Sequence, residues 1–189
     1  EMRHDVTIEY NVDAKMRDGV ILRSDIYKPV TEDAVPVLLC RTPYGKTRRA
    51  MHKKIGNEFA ARGYMVVFQD IRGRYDSDGA ALLHMGSDPR NPCINDGYDT
   101  VEWIAAQSFS NGKVGIFGTS APGITSNLAA ASAPPHLTAA YVTVAPDSLF
   151  YRSRFVGGVF KESHSGGWLR GQGISEERIA TYKSRAVLD

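Results

Sequence analysis

Two cysteines, Cys40 and Cys93, stand in 189 residues, too few for a disulfide scaffold. One bridge is compatible with that count, but two buried thiols are the simpler expectation. No apolar run approaches the ~18 residues that a membrane span needs. No sign of charge dominates: 23 Lys and Arg face 21 Asp and Glu, a net charge of +2. That balance does not point to nucleic acid or a membrane surface as the partner. The first residues, Glu1-Met2-Arg3-His4-Asp5, hold no apolar signal core. There is no Cys-x-x-Cys and the five histidines are scattered, so no metal cluster is visible and no cofactor is implied. Thiols suit the reducing cytoplasm, although a removed leader would leave the same sequence. What is present is ordinary globular material, with 23% charged and 42% hydrophobic residues, enough for one domain with a core.

The patterning is mixed. Val6–Val12 alternates apolar and polar residues, Asp18-Gly19 marks a turn, and Val20–Tyr27 returns, which together predict an antiparallel hairpin. Short apolar runs then recur at Val35–Cys40, Tyr64–Phe68, Val114–Phe117 and Leu137–Val144. Helical spacing separates them, at Ile55–Arg62 before Gly63, at Asp96–Gln107 with Asn95 or Asp96 as cap, and at Ala121–Ala133 before Pro134-Pro135. Ser110–Lys113 reads as a turn. Strand and helix alternate after the hairpin, which predicts an α/β fold with a mostly parallel sheet and helices on both faces. A doubly wound nucleotide-binding domain is the poorer match, because Gly-x-Gly-x-x-Gly and the P-loop are both missing. From Pro146 onward glycines punctuate the chain, until Ser175 caps a polar helix reaching Arg185. Trp103, Tyr98 and Ile104 read as core packing. Arg48, Arg49, Lys53 and Lys54 read as a solvated basic face.

Gly118-Thr119-Ser120-Ala121-Pro122-Gly123 falls between a predicted strand and a small-residue helix. A nucleophile elbow needs that context: small neighbours admit a strained serine, and the helix N-terminus offers N–H groups to an oxyanion. Ser120 is the candidate nucleophile and the Ala121 N–H a candidate oxyanion donor. Pro122 in the first helical turn forfeits little. The competing reading makes Ser120 a plain helix N-cap.

Five segments in order carry a wider resemblance: Met16–Pro29, Arg41-Thr-Pro-Tyr-Gly-Lys46, Gln69–Gly79, Asp96–Ile104 and Asn111–Ser120. Together, over about residues 6–150, they resemble the catalytic domain of the CocE/NonD serine hydrolases. The resemblance implies an α/β-hydrolase fold, Ser120 as nucleophile, and Tyr44 donating its phenol O–H to the oxyanion. A phenol suits that task because it is neutral at pH 7 and rigid. The family usually has Tyr directly after the serine. Here Ala121 keeps the backbone donor, loses the side chain, and implies a larger acyl pocket. The Asp70–Gly79 loop, with Arg72, Arg74, Asp76 and Asp78, is expected to buttress this side of the sheet.

The base and acid of a triad are harder to find. After Ser120 the chain offers His136 and His164. His136 precedes a strand, at the end away from Ser120, and His164 precedes any further strand. Asp147 follows a strand, where some α/β hydrolases keep their acid. In the resembled family both groups come after further strands beyond a helical cap. The expectation is therefore an N-terminal part of the catalytic domain over residues 1–150, the start of a helical cap over 151–189, and a second chain supplying the acid and histidine. The expected activity is hydrolysis of a small-molecule carboxylic ester or amide. The alternatives are acyl transfer on the same scaffold and a non-catalytic interaction module.

Overall fold

The computed structural model describes residues 3–47, 50–81, 92–146, 154–156 and 158–185. These divide into two compact units, one ending at Ala145 and one beginning at Pro146. Asp147, Arg48, Arg49 and the expected domain boundary at 150/151 lie outside the described residues.

The first unit opens with the hairpin. Strands β1 (Val6–Lys15) and β2 (Ile21–Pro29) pair antiparallel. Gly19 takes φ +87 at the turn, a conformation that glycine adopts without steric cost. Strands β3 (Val35–Thr42), β4 (Met65–Asp70), β5 (Ser110–Thr119) and β6 (Leu137–Thr143) follow. Helices α1 (Ala50–Ala60), α2 (Pro92–Ala105) and α3 (Ala121–Ala131) alternate with them. The six strands form one sheet in the order β1-β2-β4-β3-β5-β6. β2 pairs antiparallel with β4, whereas β4, β3, β5 and β6 run parallel.

Period-two alternation sorts the side chains onto two faces. Ile26, Val37, Leu39, Met65, Val67, Val114 and Ile116 bury one face with Val101 and Ile104 of α2 and Ala129 of α3. Tyr27, Cys40, Val66 and Phe68 bury the other with Ala60 and Ile55 of α1. The sheet is thus covered on both sides, as its nearly continuous apolar strands require. The chain leaves β3 toward α1 and returns to β4 on one side, then crosses by α2 to β5 on the other. Right-handed crossovers in opposite directions must lie on opposite faces.

Three boundaries differ from the sequence expectation. α2 starts at Pro92 rather than at a cap near Asp96. Proline presets the helical φ at the first position, and Asp96 is a buried partner of Arg72, not a cap. The turn expected at Ser110–Lys113 lies inside β5. Its turn chemistry is real: Ser110 Oγ accepts from Gly112 N–H and Asn111 Oδ1 from Lys113 N–H. The sheet absorbs it as an irregularity, with Val35 facing Ser110 but Val37 facing Val114. α1 begins at Ala50, earlier than the apolar spacing suggested. Gly63, at φ +88, receives the expected stop, donating to Ala60 O. Cys40 is a buried thiol in no disulfide among the described residues; the Cys93 side chain is not among those described.

The second unit is small. A hairpin of β7 (Phe155–Val156) and β8 (Val159–Phe160) leads into a π-helical turn (Glu162–Gly166), α4 (Gly167–Gly171) and α5 (Glu176–Arg185). Phe155, Leu169, Ile174 and Ile179 are buried in it, and Arg154 stacks over Trp168 at 4.6 Å. Ser175 accepts from Arg178 N–H at 3.4 Å, the expected cap of α5.

Candidate active site

Ser120 stands between β5 and α3 with φ 62 and ψ −122. A non-glycine residue in this region costs about 1–3 kcal/mol and persists only where its surroundings over-determine it. Here they do. Ser120 N–H donates to Thr143 O on β6, and Ile124 N–H donates to Ser120 O, both at 3.0 Å. The approach is too close for larger neighbours. A Cβ on Gly118 would lie 2.4 Å from the Pro122 carbonyl, and one on Gly123 would lie 2.8 Å from Ala145 Cβ. The glycines at both ends of Gly-x-Ser-x-x-Gly therefore share one steric cause.

The N-cap reading fails on geometry. The backbone is not in the extended region that an N-cap uses, and the hydroxyl makes no capping bond. Ser120 is instead exposed. The first three N–H positions of a helix have no intrahelical acceptor. Pro122 has no N–H, so Ala121 and Gly123 carry the open donors of this end, where the helix dipole favours negative charge. Ala121 itself is buried, at 3% exposure.

Tyr44 leaves the sheet beside this turn. β3 and β5 are parallel neighbours with Leu39 opposite Ile116. Three residues further, Thr42 and Thr119 end their strands, whose axes lie about 4.8 Å apart. Tyr44, Ser120 and Ala121 thus emerge from adjacent strands at the same edge. β3 sends its connection to the α1 face and β5 sends its own to the α3 face. Strands that part in this way open a crevice at their carboxyl ends, the usual ligand position in such sheets. The half-buried Tyr44 stands on one lip and Ser120 on the other.

The Tyr44 loop is held by charge. Asp70 closes β4 opposite Thr42; its Oδ1 accepts from Lys46 N–H at 2.8 Å and its Oδ2 from Lys46 Nζ at 3.1 Å. Asp76 accepts from the same Nζ, and Asp25 stands 3.9 Å away. Burial alone would lower the Lys46 pKa, but the carboxylates, Asp76 foremost, outweigh it and hold the ammonium above its ordinary value. Desolvation pushes Asp70 and Asp25 above the usual carboxylate range, since one ammonium shared among three acids only partly offsets it. Arg74 Nε donates to Pro43 O at 3.2 Å. Arg72 bridges Asp96 and Asp18, and the Asp96 hydrogen bond holds its pKa above the ordinary arginine value. The 70–79 loop therefore does buttress this edge.

His136, His164 and His52 occupy three different settings. His136 precedes β6, its Nδ1 2.7 Å from Glu102 Oε2, at the sheet end opposite Ser120. His164 is exposed in the π-helical turn of the second unit. His52 is buried, stacked on Phe68 with ring centroids 4.5 Å apart, and its Nδ1 donates to Lys46 O. Among the described residues no group of three or more His, Cys, Asp and Glu could hold a metal ion, and no helix is long and apolar enough to cross a membrane.

In the sequence Lys46 has no assigned role, and Asp70 has one only as the first residue of the buttressing loop. A loop lysine is almost always solvated, which hides this one. The available signal was Asp70 ending an apolar strand, where a buried carboxylate needs a cation.

The chain is similar to several known proteins. Cocaine esterase from Rhodococcus sp. (strain MB1 Bresler) is 38% identical over 154 residues, 80% of this chain and 26% of that protein. An α-amino acid ester hydrolase structure superposes with a TM-score of 0.73 at 32% identity, covering 89% of this chain and 30% of its own. A CocE/NonD family hydrolase from Staphylococcus aureus gives a TM-score of 0.82 at 23% identity, over 97% of this chain and 37% of that one, which shows the shared α/β-hydrolase fold. The chain spans about a quarter of the length of the cocaine esterase it matches. A family model matches residues 18–185, nearly the whole sequence, and the chain belongs to the X-Pro dipeptidyl-peptidase (S15) family.

Proposed function

We propose that this chain carries the nucleophile and the oxyanion donors of a serine hydrolase acting on small-molecule carboxylic esters or amides. The observation that carries the reading is Ser120, an exposed hydroxyl on a strained strand-to-helix turn at the crevice between β3 and β5. Strain of this kind is retained where it aims a reacting group. Two relatives are named for ester substrates and the family for an X-Pro dipeptidyl-peptidase. An acyl carbonyl is the group these substrates share.

In this reading Ser120 Oγ attacks the acyl carbon while its proton passes to a histidine outside this chain, oriented by a carboxylate also outside it. The negative oxygen accepts from the Ala121 N–H and the Tyr44 O–H. Collapse breaks the bond to the alcohol or amine, which leaves with the proton, and water then hydrolyses the acyl-enzyme. His136, bound to Glu102 at the far sheet end, does not enter the scheme. The second polypeptide belongs to this proposal. So does a domain arrangement in which residues 1–150 form part of a catalytic domain and 151–189 the start of a cap.

The test uses the full-length protein and a p-nitrophenyl ester. Burst kinetics with a mass increment of one acyl group on the Ser120 peptide support the scheme. Hydrolysis undiminished in Ser120→Ala overturns it.

A further inference from the structure

Lys46 is a fully buried charge of the first unit: its side chain is 0% exposed, two residues from a half-buried tyrosine. Gly45, at φ +88, makes this possible by turning the chain between them. Every polar group of Lys46 is engaged. Its N–H and its ammonium both donate to Asp70, its ammonium also to Asp76, and its carbonyl accepts from His52. On the other side of Tyr44, Pro43 O accepts from Arg74, Tyr44 N–H donates to Thr42 Oγ1, and Thr42 O accepts from Ile71 N–H. Tyr44 is thus the half-buried point of a loop pinned on both flanks.

Stability is a weak reason for such a cluster. A buried ion pair gains little over well-packed apolar side chains of similar volume. This one is unbalanced as well, with three carboxylates near one ammonium and Asp25 Oδ2 lacking a hydrogen-bond partner among the described residues. What the cluster supplies is a fixed geometry. Two strand ends, β3 and β4, are tied through Asp70 to the residue that dictates where Tyr44 leaves the sheet. An oxyanion donor stabilises charge only if it is already aimed, because reorienting it during the reaction forfeits the gain.

We propose that Lys46, clamped by Asp70 and Asp76, is the positioning residue for Tyr44, acting on turnover only through the tyrosine hydroxyl. This rests on the assignment of Tyr44 as an oxyanion donor.

The experiment is a pair of double-mutant cycles in the full-length protein, reading kcat and KM on a p-nitrophenyl ester. Lys46→Met removes the clamped cation. Asp76→Asn removes the negative charge of one arm, at a side chain that is 51% exposed, and leaves the Asp70 bonds, so it keeps the question open to test if Lys46→Met does not fold. Each substitution should lower kcat about tenfold or more with KM changed less than about threefold, the mark of an interaction felt in the transition state. In a Tyr44→Phe background the same substitutions should lower kcat less than about threefold, since the group they aim is gone. Equal factors in both backgrounds, or an unchanged kcat in folded Asp76→Asn, overturn the positioning role and leave the Tyr44 assignment standing. A Tyr44→Phe protein with wild-type kcat overturns that assignment, and this proposal with it.

Discussion

Gly118 and Ser120 show how little freedom the turn after β5 leaves. A methyl group on Gly118 would meet the Pro122 carbonyl at 2.4 Å, backbone that cannot swing aside. Gly118→Ala is therefore expected to destabilise the protein by about 1–3 kcal/mol, as overpacking does, and to lower esterase activity by displacing the serine; denaturant titration and steady-state kinetics check the two effects. The two proposed oxyanion donors separate by substitution. Tyr44→Phe removes a hydroxyl and should lower kcat about 10²-fold with little change in KM. Ala121→Gly keeps the backbone N–H and should leave kcat within a few-fold. The glycines and the serine were legible as a motif because sterics force them. Lys46 was not, because its burial comes from carboxylates of β2, β4 and the following loop that only the fold assembles.

Helix α2 is fixed by its partners more than by its ends. Asp96 sits 1% exposed beneath Arg72, with Arg41 3.9 Å away. The sequence offered Asn95 or Asp96 as a cap, and local pattern cannot distinguish a cap from a buried ion-pair partner of a residue 24 positions away. Pro92 starts the helix instead. Asp96→Ala should cost about 3 kcal/mol, because it takes the buried one of two carboxylates from the Arg72 guanidinium and leaves only the half-exposed Asp18, and chemical denaturation measures it. Gly97 plays a steric part on the same helix. A Cβ there would approach Ala129 Cβ to 2.7 Å, so Gly97→Ala should push α2 from α3 and lower the melting temperature. The strands were easier to anticipate. Continuous apolar runs such as Met65–Phe68 and Val35–Cys40 are buried on both faces, and that burial is what their composition reports. The β5 start was misread because a genuine Asx turn lies inside the strand as an irregularity, and turn chemistry looks alike in both settings.

Across the whole molecule, alternating strands and helices after a hairpin made the mostly parallel sheet legible, and the motif order made the S15 membership legible. Strand order was not, since β3 and β4 exchange places through one crossover that no local pattern encodes. The buried charges give the fold an alkaline limit. Lys46 is held above its ordinary 10.5, so its stabilisation is complete below that pH and is lost as pH rises through the folded value. Burial likewise raises Tyr27 from 10.0, and its contribution also fades as pH rises through its folded value. Asp25 and Asp70, raised from 3.8 by desolvation, favour the fold only while protonated and so oppose acid unfolding. Melting temperatures across pH 9–12 should fall steeply, and less steeply in Tyr27→Phe. The most direct measurement is fluorophosphonate labelling of the full-length protein with peptide mapping of the adduct. The account predicts one adduct, on Ser120, absent from Ser120→Ala and slower to form in Tyr44→Phe. An adduct on another serine that persists in Ser120→Ala, or ester hydrolysis by a protein the probe never labels, would contradict it.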